Sequence, residues 1–235
     1  MLIIEAIMKT IISEKKAACK SAAEKIAELL GSKENACLVF SFDLPDELFE
    51  ELAALQKAGR ADFSRVRVFS TGEFVSGKRL GDLLWKNSLS RLNINKENCY
   101  FINEDTYDRY DELFASFGGP DLIVLALGQN GQIAFNEPGT AFSSRTHIQK
   151  LSDLSKNQFA ELFAGAENVP DKAMTLGIKS ITEAKSIIVM AFGKEKADAL
   201  HQMLYARTDP TAPAAFLQIP SDVSVYADPA AAEKI

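Results

Sequence analysis

One short stretch of the chain carries residues suited to ligand binding and proton transfer. Residues 127–139 read LGQNGQIAFNEPG. Gly128 and Gly131 allow a tight turn in which the backbone approaches a ligand closely, and Glu137 is the one clear acid–base candidate. A glycine turn alone more often does no more than end a strand. Its continuation through Asn136 and Glu137 favours a ligand site.

The elements that must position this stretch are visible as apolar runs and helical spacings. Runs of four to seven apolar residues with many β-formers predict strands, and apolar residues at helical spacing predict helices. The segment directly before the glycine turn, DLIVLAL, is the most apolar strand. The predicted strands are 36–42, 66–70, 98–102, 121–127, 186–192 and 222–226. The predicted helices are 13–30, 45–58, 80–92, 106–117 and 194–204.

This order of elements predicts one α/β domain over residues 1–235. Strands that are apolar throughout and alternate with helices indicate a Rossmann-like, open and mostly parallel sheet with helices on both faces. Strands 121–127 and 186–192 should be central. Ligands of open α/β sheets lie beyond the carboxyl ends of the strands. The loops of interest therefore follow Phe42, Ser70, Leu127 and Phe192.

Composition narrows the classes of function. The 235 residues carry a net charge of −6 and are 47% hydrophobic, which is typical of a globular protein and unlike a nucleic-acid-binding one. Cys19, Cys37 and Cys99 form no CxxC pair, so we expect free thiols and no metal site. The apolar start is interrupted by Glu5 and Lys9, and no run is long enough for a membrane helix. We expect a cytoplasmic protein without a membrane or nucleic-acid partner.

Residues 128–139 resemble the signature of the glucosamine-6-phosphate deaminase/isomerase family. That signature runs Gly-x-Asp/Asn-Gly-His, a short apolar link and Asn-Glu-Pro. Further similar segments are Ser-Arg-Thr at 144–146, Ala-Met-Thr-Leu-Gly-Ile at 173–178 and the lysine loop Gly-Lys-Glu-Lys-Ala at 193–197. The resemblance covers most of the chain and is strongest over 121–204.

The resemblance implies a defined chemistry. Family members open an amino-sugar 6-phosphate to its linear form, move a proton between C2 and C1, and release ammonia to leave a ketose phosphate. The reaction needs no metal or organic cofactor. It needs a base for ring opening, a carboxylate for proton transfer, and cations or backbone amides for the phosphate.

Several catalytic positions implied by the resemblance hold other residue types. The ring-opening histidine falls on Gln132, which cannot exchange a proton near neutral pH. The acidic residue before that histidine falls on Asn130, and some galactosamine-type relatives also have asparagine at this position. Glu137 is kept, although its role would be to orient the missing histidine. The proton-shuttling aspartate falls on Gly72, and the adjacent Glu73 should point to the opposite side of its extended segment.

The implied phosphate site is altered as well. The family's Gly-Gly-Thr-Pro loop becomes Ser41-Phe42-Asp43-Leu44-Pro45, in which a bulky ring and a negative charge replace glycines. An aspartate near a phosphate lowers affinity. The arginine expected in the lid helix falls on Glu161, while the phosphate lysine is kept. The substrate-binding candidates are Ser41, Gly128, Gly131, Asn136 and Lys196.

Three functions remain open from the sequence. The first is a working deaminase or isomerase of amino-sugar phosphates, acting in carbohydrate metabolism, with an altered site. The replaced residues predict that its deaminase turnover is weak or absent. The second is a non-catalytic relative that binds a sugar phosphate, another metabolite or a protein. The third is a 6-phosphogluconolactonase-like hydrolase, which we rank last because that group needs the same acid and histidine and lacks Asn-Glu-Pro. The sequence leaves homo-oligomer formation and an allosteric site undecided.

The expected site geometry is specific. Asn130, Gln132 and Glu137 should line one cleft at the carboxyl end of the sheet, and Gly72 and Glu73 should form its opposite wall.

Overall fold

The computed structural model describes residues 2–5, 8–220 and 222–235, the first of these ranges as backbone alone. The strands are β1 Leu2–Glu5, β2 Lys9–Ile12, β3 Cys37–Phe40, β4 Arg67–Ser70, β5 Gly72–Phe74, β6 Cys99–Tyr100, β7 Leu122–Ala126, β8 His147–Lys150, β9 Lys172–Thr175, β10 Ser186–Ala191 and β11 Val223–Ala227. The helices are α1 Lys15–Ser32, α2 Asp46–Lys57, α3 Leu80–Asn87, α4 Tyr110–Ser116, α5 Asp153–Gln158, α6 Ala160–Phe163, α7 Ile178–Thr182 and α8 Ala197–Tyr205.

The main sheet has the order β1-β2-β11-β10-β7-β3-β4-β6. All neighbouring strands in it are parallel except β1, which runs antiparallel to β2 at the edge. β7 and β10 lie next to each other at the centre, as their apolar sequences predicted. No described helix is long and apolar enough to cross a membrane.

Helices cover both faces of this sheet, which confirms the predicted architecture. One apolar cluster joins Ile123 and Leu125 of β7 to residues of α4, α7 and α8. The other joins Leu122 and Val124 of the same strand to residues of α1, α2 and α3. Successive residues of a strand point to opposite faces, so an all-apolar strand is the expected sequence for a sheet buried on both sides.

A second, three-stranded sheet was not predicted. β5, β9 and β8 form an antiparallel sheet in that order. Thr175 of β9 pairs with Gly72 on one side and with His147 on the other. These strands have only three or four residues, and β8 alternates half-buried and exposed positions. Short polar strands carry a weak sequence signal, so tertiary pairing decides them.

Several helix boundaries also differ from the predictions. The helix predicted at 80–92 ends at Asn87, and a separate 3-10 turn follows at Leu89–Arg91. The helix predicted at 106–117 begins as the 3-10 turn Tyr107–Arg109, and the one predicted at 194–204 begins as Lys194–Lys196. α5, α6 and α7 were missed because they are short.

Asp121 connects the amino-terminal end of β7 to neighbouring segments through hydrogen bonds and ion pairs. Its buried carboxylate accepts hydrogen bonds of 2.8 Å from the amide of Cys37 and from the ammonium groups of Lys33 and Lys185. Burial opposes ionisation of the carboxyl, but the hydrogen bonds from Lys185, Lys33 and Cys37 outweigh it. The pKa of Asp121 therefore lies below its ordinary value.

We expect Asp121→Asn to destabilise the fold by about 1–3 kcal/mol at pH 7, the usual range for hydrogen bonds to a charged group. Both lysines are partly exposed. Solvent therefore screens the two ion pairs, and their contribution to the free energy of unfolding is small. Because the folded-state pKa is depressed, the contribution is complete above the unfolded-state pKa of about 3.9 and is lost as the pH falls through the folded-state pKa.

Urea denaturation at pH 7, at pH 5 and at about pH 2 to 3 measures the difference in unfolding free energy between Asp121→Asn and the unchanged protein. The control is Asp198→Asn, which removes a carboxylate from an exposed pair with Lys234 and should change stability by no more than about 0.5 kcal/mol. A difference for Asp121→Asn that does not shrink between pH 5 and about pH 2 would contradict the assignment.

Candidate functional site

The glycine turn after β7 is built as its sequence predicts. The amide of Gly128 donates to the carbonyl of Gln132 at 2.9 Å, and the amide of Gly131 donates to the carbonyl of Gly128 at 3.1 Å. A β-carbon at Gly128 would overlap the side chain of Gln132. Gly131 has a φ of +77°, which glycine adopts without strain. Both glycines are therefore required by the turn itself.

Gln132 lies at the position that the resemblance assigns to the ring-opening histidine, and its side chain holds a helix. It is 5% exposed. Its carbonyl oxygen accepts from the hydroxyl of Ser155 at 2.7 Å, and its amide nitrogen lies 3.4 Å from the side-chain oxygen of Gln158. Both partners belong to α5. A neutral carboxamide engaged in this way exchanges no proton and binds α5 to the turn.

Glu137 is 6% exposed and faces the interior of the site, as expected. Its carboxylate accepts from the amide of Ser152 at 3.0 Å and from the hydroxyl of Ser152 at 3.1 Å. The side-chain nitrogen of Asn130 donates to it at 3.3 Å. Ser152 also caps α5 by accepting from the amide of Ser155. The structure thus brings Asn130, Gln132 and Glu137 together around the start of α5.

Asn136 has a structural role in this geometry. Its side chain is fully buried. Its nitrogen donates to the carbonyls of Ile133 at 2.9 Å and Leu176 at 2.7 Å, so it joins the glycine turn to the segment after β9. These hydrogen bonds use the side-chain nitrogen of Asn136, and its contact with substrate stays a prediction.

Glu73 does not lie with the other predicted catalytic residues. Its carboxylate accepts from the amides of Leu80 at 2.8 Å, Phe74 at 2.9 Å and Gly81 at 3.0 Å, and so caps the amino terminus of α3. Burial raises the pKa of Glu73, although these three amides act in the opposite direction. Glu73 therefore acts as a helix cap in this structure, and its catalytic role stays a prediction.

Gly72 packs against the glycine turn and leaves no gap for a catalytic carboxylate. A β-carbon there would lie 2.7 Å from Cδ2 of Phe135 and 2.9 Å from the carbonyl oxygen of Met174. Gly72 and Glu73 face opposite sides of β5, because successive residues of an extended strand point to opposite sides. Phe135 therefore occupies the space beside Gly72, and Glu73 points to the other side of the strand.

Phenylalanine rings pack together in the space beside Gly72. Centroids lie 5.0 Å apart for Phe42 and Phe135, 5.4 Å for Phe42 and Phe159, and 5.1 Å for Phe74 and Phe159. These distances are typical of favourable aromatic pairs. We refer to these residues as the aromatic cluster; its members are Phe42, Phe74, Phe135 and Phe159. Through Phe159, the cluster fixes the junction of α5 and α6 over the site.

The sequence did not single out α5 or its contacts. Ser152 followed by Asp153 is a helix-start pattern and is the signal that could have located α5. The sequence carries no comparable signal for the pairing of Ser155 and Gln158 with Gln132, since that pairing depends on where the helix docks.

Lys196 borders a separate cleft at the carboxyl ends of β7 and β10. This lysine cleft has a volume of about 310 Å³ and is lined among others by Lys15, Asp43, Gln158 and Lys196. Burial lowers the pKa of Lys196, and the nearby Asp43 opposes that shift. Within the part of the chain that the structure describes, Lys196 forms no ion pair, whereas Lys15 pairs with Glu47 at 2.9 Å.

Ser41 does not present its hydroxyl to the lysine cleft. Its side chain is buried and donates to the carboxylate of Asp43. Among residues 8–220 and 222–235, no group of three or more histidine, cysteine, aspartate or glutamate side chains is arranged to hold a metal ion.

We expect Glu73→Gln to destabilise the protein by about 1–3 kcal/mol, because the amide turns a donor towards backbone N–H groups that need an acceptor. Urea denaturation measures the change. Glu104→Gln is the matched control, since Glu73 and Glu104 line one pocket together but Glu104 is exposed. Equal stability of the two variants would show that Glu73 does not support α3.

Comparisons with known proteins agree with this architecture. The sequence model described as glucosamine-6-phosphate isomerases/6-phosphogluconolactonase matches residues 13–226. The chain is 35% identical over 202 residues to the glucosamine-6-phosphate deaminase of Halalkalibacterium halodurans, covering 81% of this chain and 82% of the relative. It is 34% identical to that of Clostridioides difficile over 92% of each chain.

Solved structures extend the comparison to the fold. A monomeric glucosamine-6-phosphate deaminase, described as a missing link of the NagB superfamily, superimposes with a TM-score of 0.91 at 28% identity, covering 97% of this chain and all of that one. The 6-phosphogluconolactonase of Thermotoga maritima shares the fold with a TM-score of 0.72 at 18% identity over 95% of this chain and 100% of that one. The chain therefore belongs to the glucosamine-6-phosphate isomerase/6-phosphogluconolactonase family.

Proposed function

We propose that this protein is a family member that binds an anionic metabolite, such as a sugar phosphate, with weak or no deaminase turnover. A role in amino-sugar metabolism is supported by the curated relatives reported above, which are glucosamine-6-phosphate deaminases. The proposal separates ligand binding, for which a cation remains, from catalysis, for which the proton-transfer groups are replaced.

The observation that carries the proposal is the hydrogen bonding of Gln132. The group at this position is neutral, and its oxygen accepts from Ser155 of α5. Ring opening requires a titratable group near pH 7. Opposite it, Gly72 supplies no carboxylate and Phe135 occupies the adjoining space. Loss of one general acid or base costs about 10² to 10⁴ in rate, so the loss of two that act in successive steps leaves little.

Support for anion binding comes from Lys196. A half-buried ammonium group without an ion-pair partner in the described chain gains more from a bound anion than one already neutralised. Phe42 and Asp43 weaken binding of a full phosphate group, because a ring and a negative charge replace small residues whose amides could approach it. The 6-phosphogluconolactonase hypothesis gains no support from the site, and the 18% identity to that structure concerns the fold alone.

Ammonia release from glucosamine 6-phosphate and galactosamine 6-phosphate at saturating concentrations tests the proposal. We expect no release above background, with the Clostridioides difficile deaminase as the positive control. Turnover in the ordinary enzymatic range of about 1 to 10³ per second would overturn the proposal and would show that other residues perform the proton transfers.

Calorimetric titration with glucosamine 6-phosphate tests the binding half separately. We expect weak binding that Lys196→Ala removes. Lys194→Ala is the matched control, because Lys194 is exposed and paired with Glu233. Binding unaffected by Lys196→Ala would show that the anion binds elsewhere.

A further inference from the structure

A second pocket adjoins the lysine cleft and is chemically different from it. Its volume is about 290 Å³. It is lined by apolar side chains of the loop after β3, of α3 and of α6, and by the polar residues Asp43, Asp46, Asn87 and Ser88. We refer to it as the apolar slot; its walls include Phe42, Leu44, Leu80, Leu83, Leu84 and Leu162.

Phe159 and Asp43 form the partition between the two spaces, since both residues line the lysine cleft and the apolar slot. Phe159 is only half-buried, so its ring is not enclosed by close packing on every side. Each alone lies near the lower end of the size range for small-molecule sites, and together they reach the usual range. One ligand can therefore occupy both.

The charges of the lysine cleft favour an anion of low charge. Lys15 is neutralised by Glu47 at 2.9 Å. The carboxylate of Asp43 borders the same cleft as Lys196 and accepts a hydrogen bond from Ser41. A dianion would meet one unpaired cation and one like charge, whereas a monoanion needs only Lys196.

The apolar side chains of the slot indicate that the ligand also has an apolar part. Phe42, Leu83 and Leu162 remain partly exposed, so a ligand that covers them removes apolar surface from water. The favourable free energy of this burial increases with the apolar area that the ligand covers. A sugar phosphate has hydroxyl groups along its whole length, and those that face the leucine and phenylalanine side chains would lose hydration without a partner. The polar groups that line the slot belong to Asp43, Asp46, Asn87 and Ser88.

We propose that the ligand of this site is a small carboxylate with an apolar arm about the size of one ring. The carboxylate pairs with Lys196, and the arm enters the apolar slot past Phe159. This inference rests on the proposed function, because it names the ligand class of the same cleft.

Isothermal titration calorimetry with 3-phenylpropionate, propionate and glucosamine 6-phosphate tests the inference on the full chain. We expect 3-phenylpropionate to bind at least about tenfold more tightly than propionate, the effect of partly covering one ring. It should also bind more tightly than glucosamine 6-phosphate. Equal binding of 3-phenylpropionate and propionate, or tighter binding of the sugar phosphate, overturns the inference.

Three variants locate the two parts of the ligand. Leu83→Asn should reduce the preference for 3-phenylpropionate over propionate to less than about threefold, since burial of apolar area is lost. Leu154→Asn is the matched control, because Leu154 is exposed and lies outside both spaces. Lys196→Ala should abolish binding of both carboxylates. Each variant is first checked for an unchanged melting temperature.

The outcomes distinguish this inference from the proposed function. Absence of ammonia release together with no preference for the aromatic carboxylate rejects the inference and leaves the proposed function standing. Robust ammonia release rejects the proposed function whatever the carboxylates do. A preference for 3-phenylpropionate that Leu83→Asn leaves unchanged places the arm elsewhere and overturns the inference.

Discussion

The double variant Gly72→Asp with Gln132→His will show no deaminase turnover above that of the unchanged protein, although it restores both proton-transfer residue types. A β-carbon at Gly72 would lie 2.7 Å from the ring of Phe135 and 2.9 Å from the carbonyl oxygen of Met174, so the aspartate cannot take up a productive position. Histidine at 132 loses the hydrogen bonds to α5, and Phe42 and Asp43 still obstruct phosphate binding.

The same variant will lose stability. Overpacking beside Phe135 costs about 1–3 kcal/mol, and the lost hydrogen bond between Gln132 and Ser155 adds about 1 kcal/mol. Urea denaturation and ammonia release are measured on the same preparation. Gly31→Asp serves as the control for the glycine change, because nothing lies within 4 Å of a β-carbon there.

Turnover in the double variant, at least about 10² above that of the unchanged protein, would show that the site rearranges around the new aspartate. Adding Phe42→Gly and Asp43→Gly is the next combination that could restore activity, since it reopens the backbone to the phosphate. Single reversions should do little, because groups that act as a unit are not additive.

Phe135→Ala will destabilise the protein by about 3–5 kcal/mol, the usual range for removing a fully buried phenylalanine. Its ring lies against Phe42, Phe74 and Phe159 at centroid distances of 5.0, 5.5 and 5.8 Å. The loss should act most on α5 and α6, which the aromatic cluster holds over the site.

Urea denaturation measures the total loss, and amide hydrogen exchange shows where it acts. We expect faster exchange across 153–163 before any change in β7. Phe142→Ala is the control, because Phe142 is 37% exposed and its removal should cost less than about 1 kcal/mol. Unchanged exchange in α5 and α6 would contradict the role of the cluster.

Sequence and structure agree most closely where the pattern is strong and local. The apolar runs of β7 and β10 could only be buried on both sides, and they are the two central strands. The glycine turn needs φ values and close approaches that glycine alone provides, so its form followed from Gly128 and Gly131. The residue types at the site, including a glutamine where the resemblance implies a histidine, are likewise properties of the sequence.

The sequence was less informative where side-chain direction depends on distant contacts. Glu73 is an acid next to the position that the resemblance assigns to a catalytic aspartate, yet it caps α3 because the fold brings the amides of Leu80 and Gly81 to it. Asn136 belongs to the signature string, yet the segment at Leu176 buries it completely. Neither outcome could be predicted from neighbouring residues.

The sequence by itself determined the family, the central strands and the absence of a titratable group at position 132. Only the tertiary structure decided that Gln132 fastens α5, that Phe135 closes the space beside Gly72, and that Lys196 lies in a separate cleft. The physical reason is that local propensity and periodicity act over neighbouring residues. The docking of α5 and the aromatic cluster instead joins side chains far apart in the chain, whose packing energy depends on the completed fold.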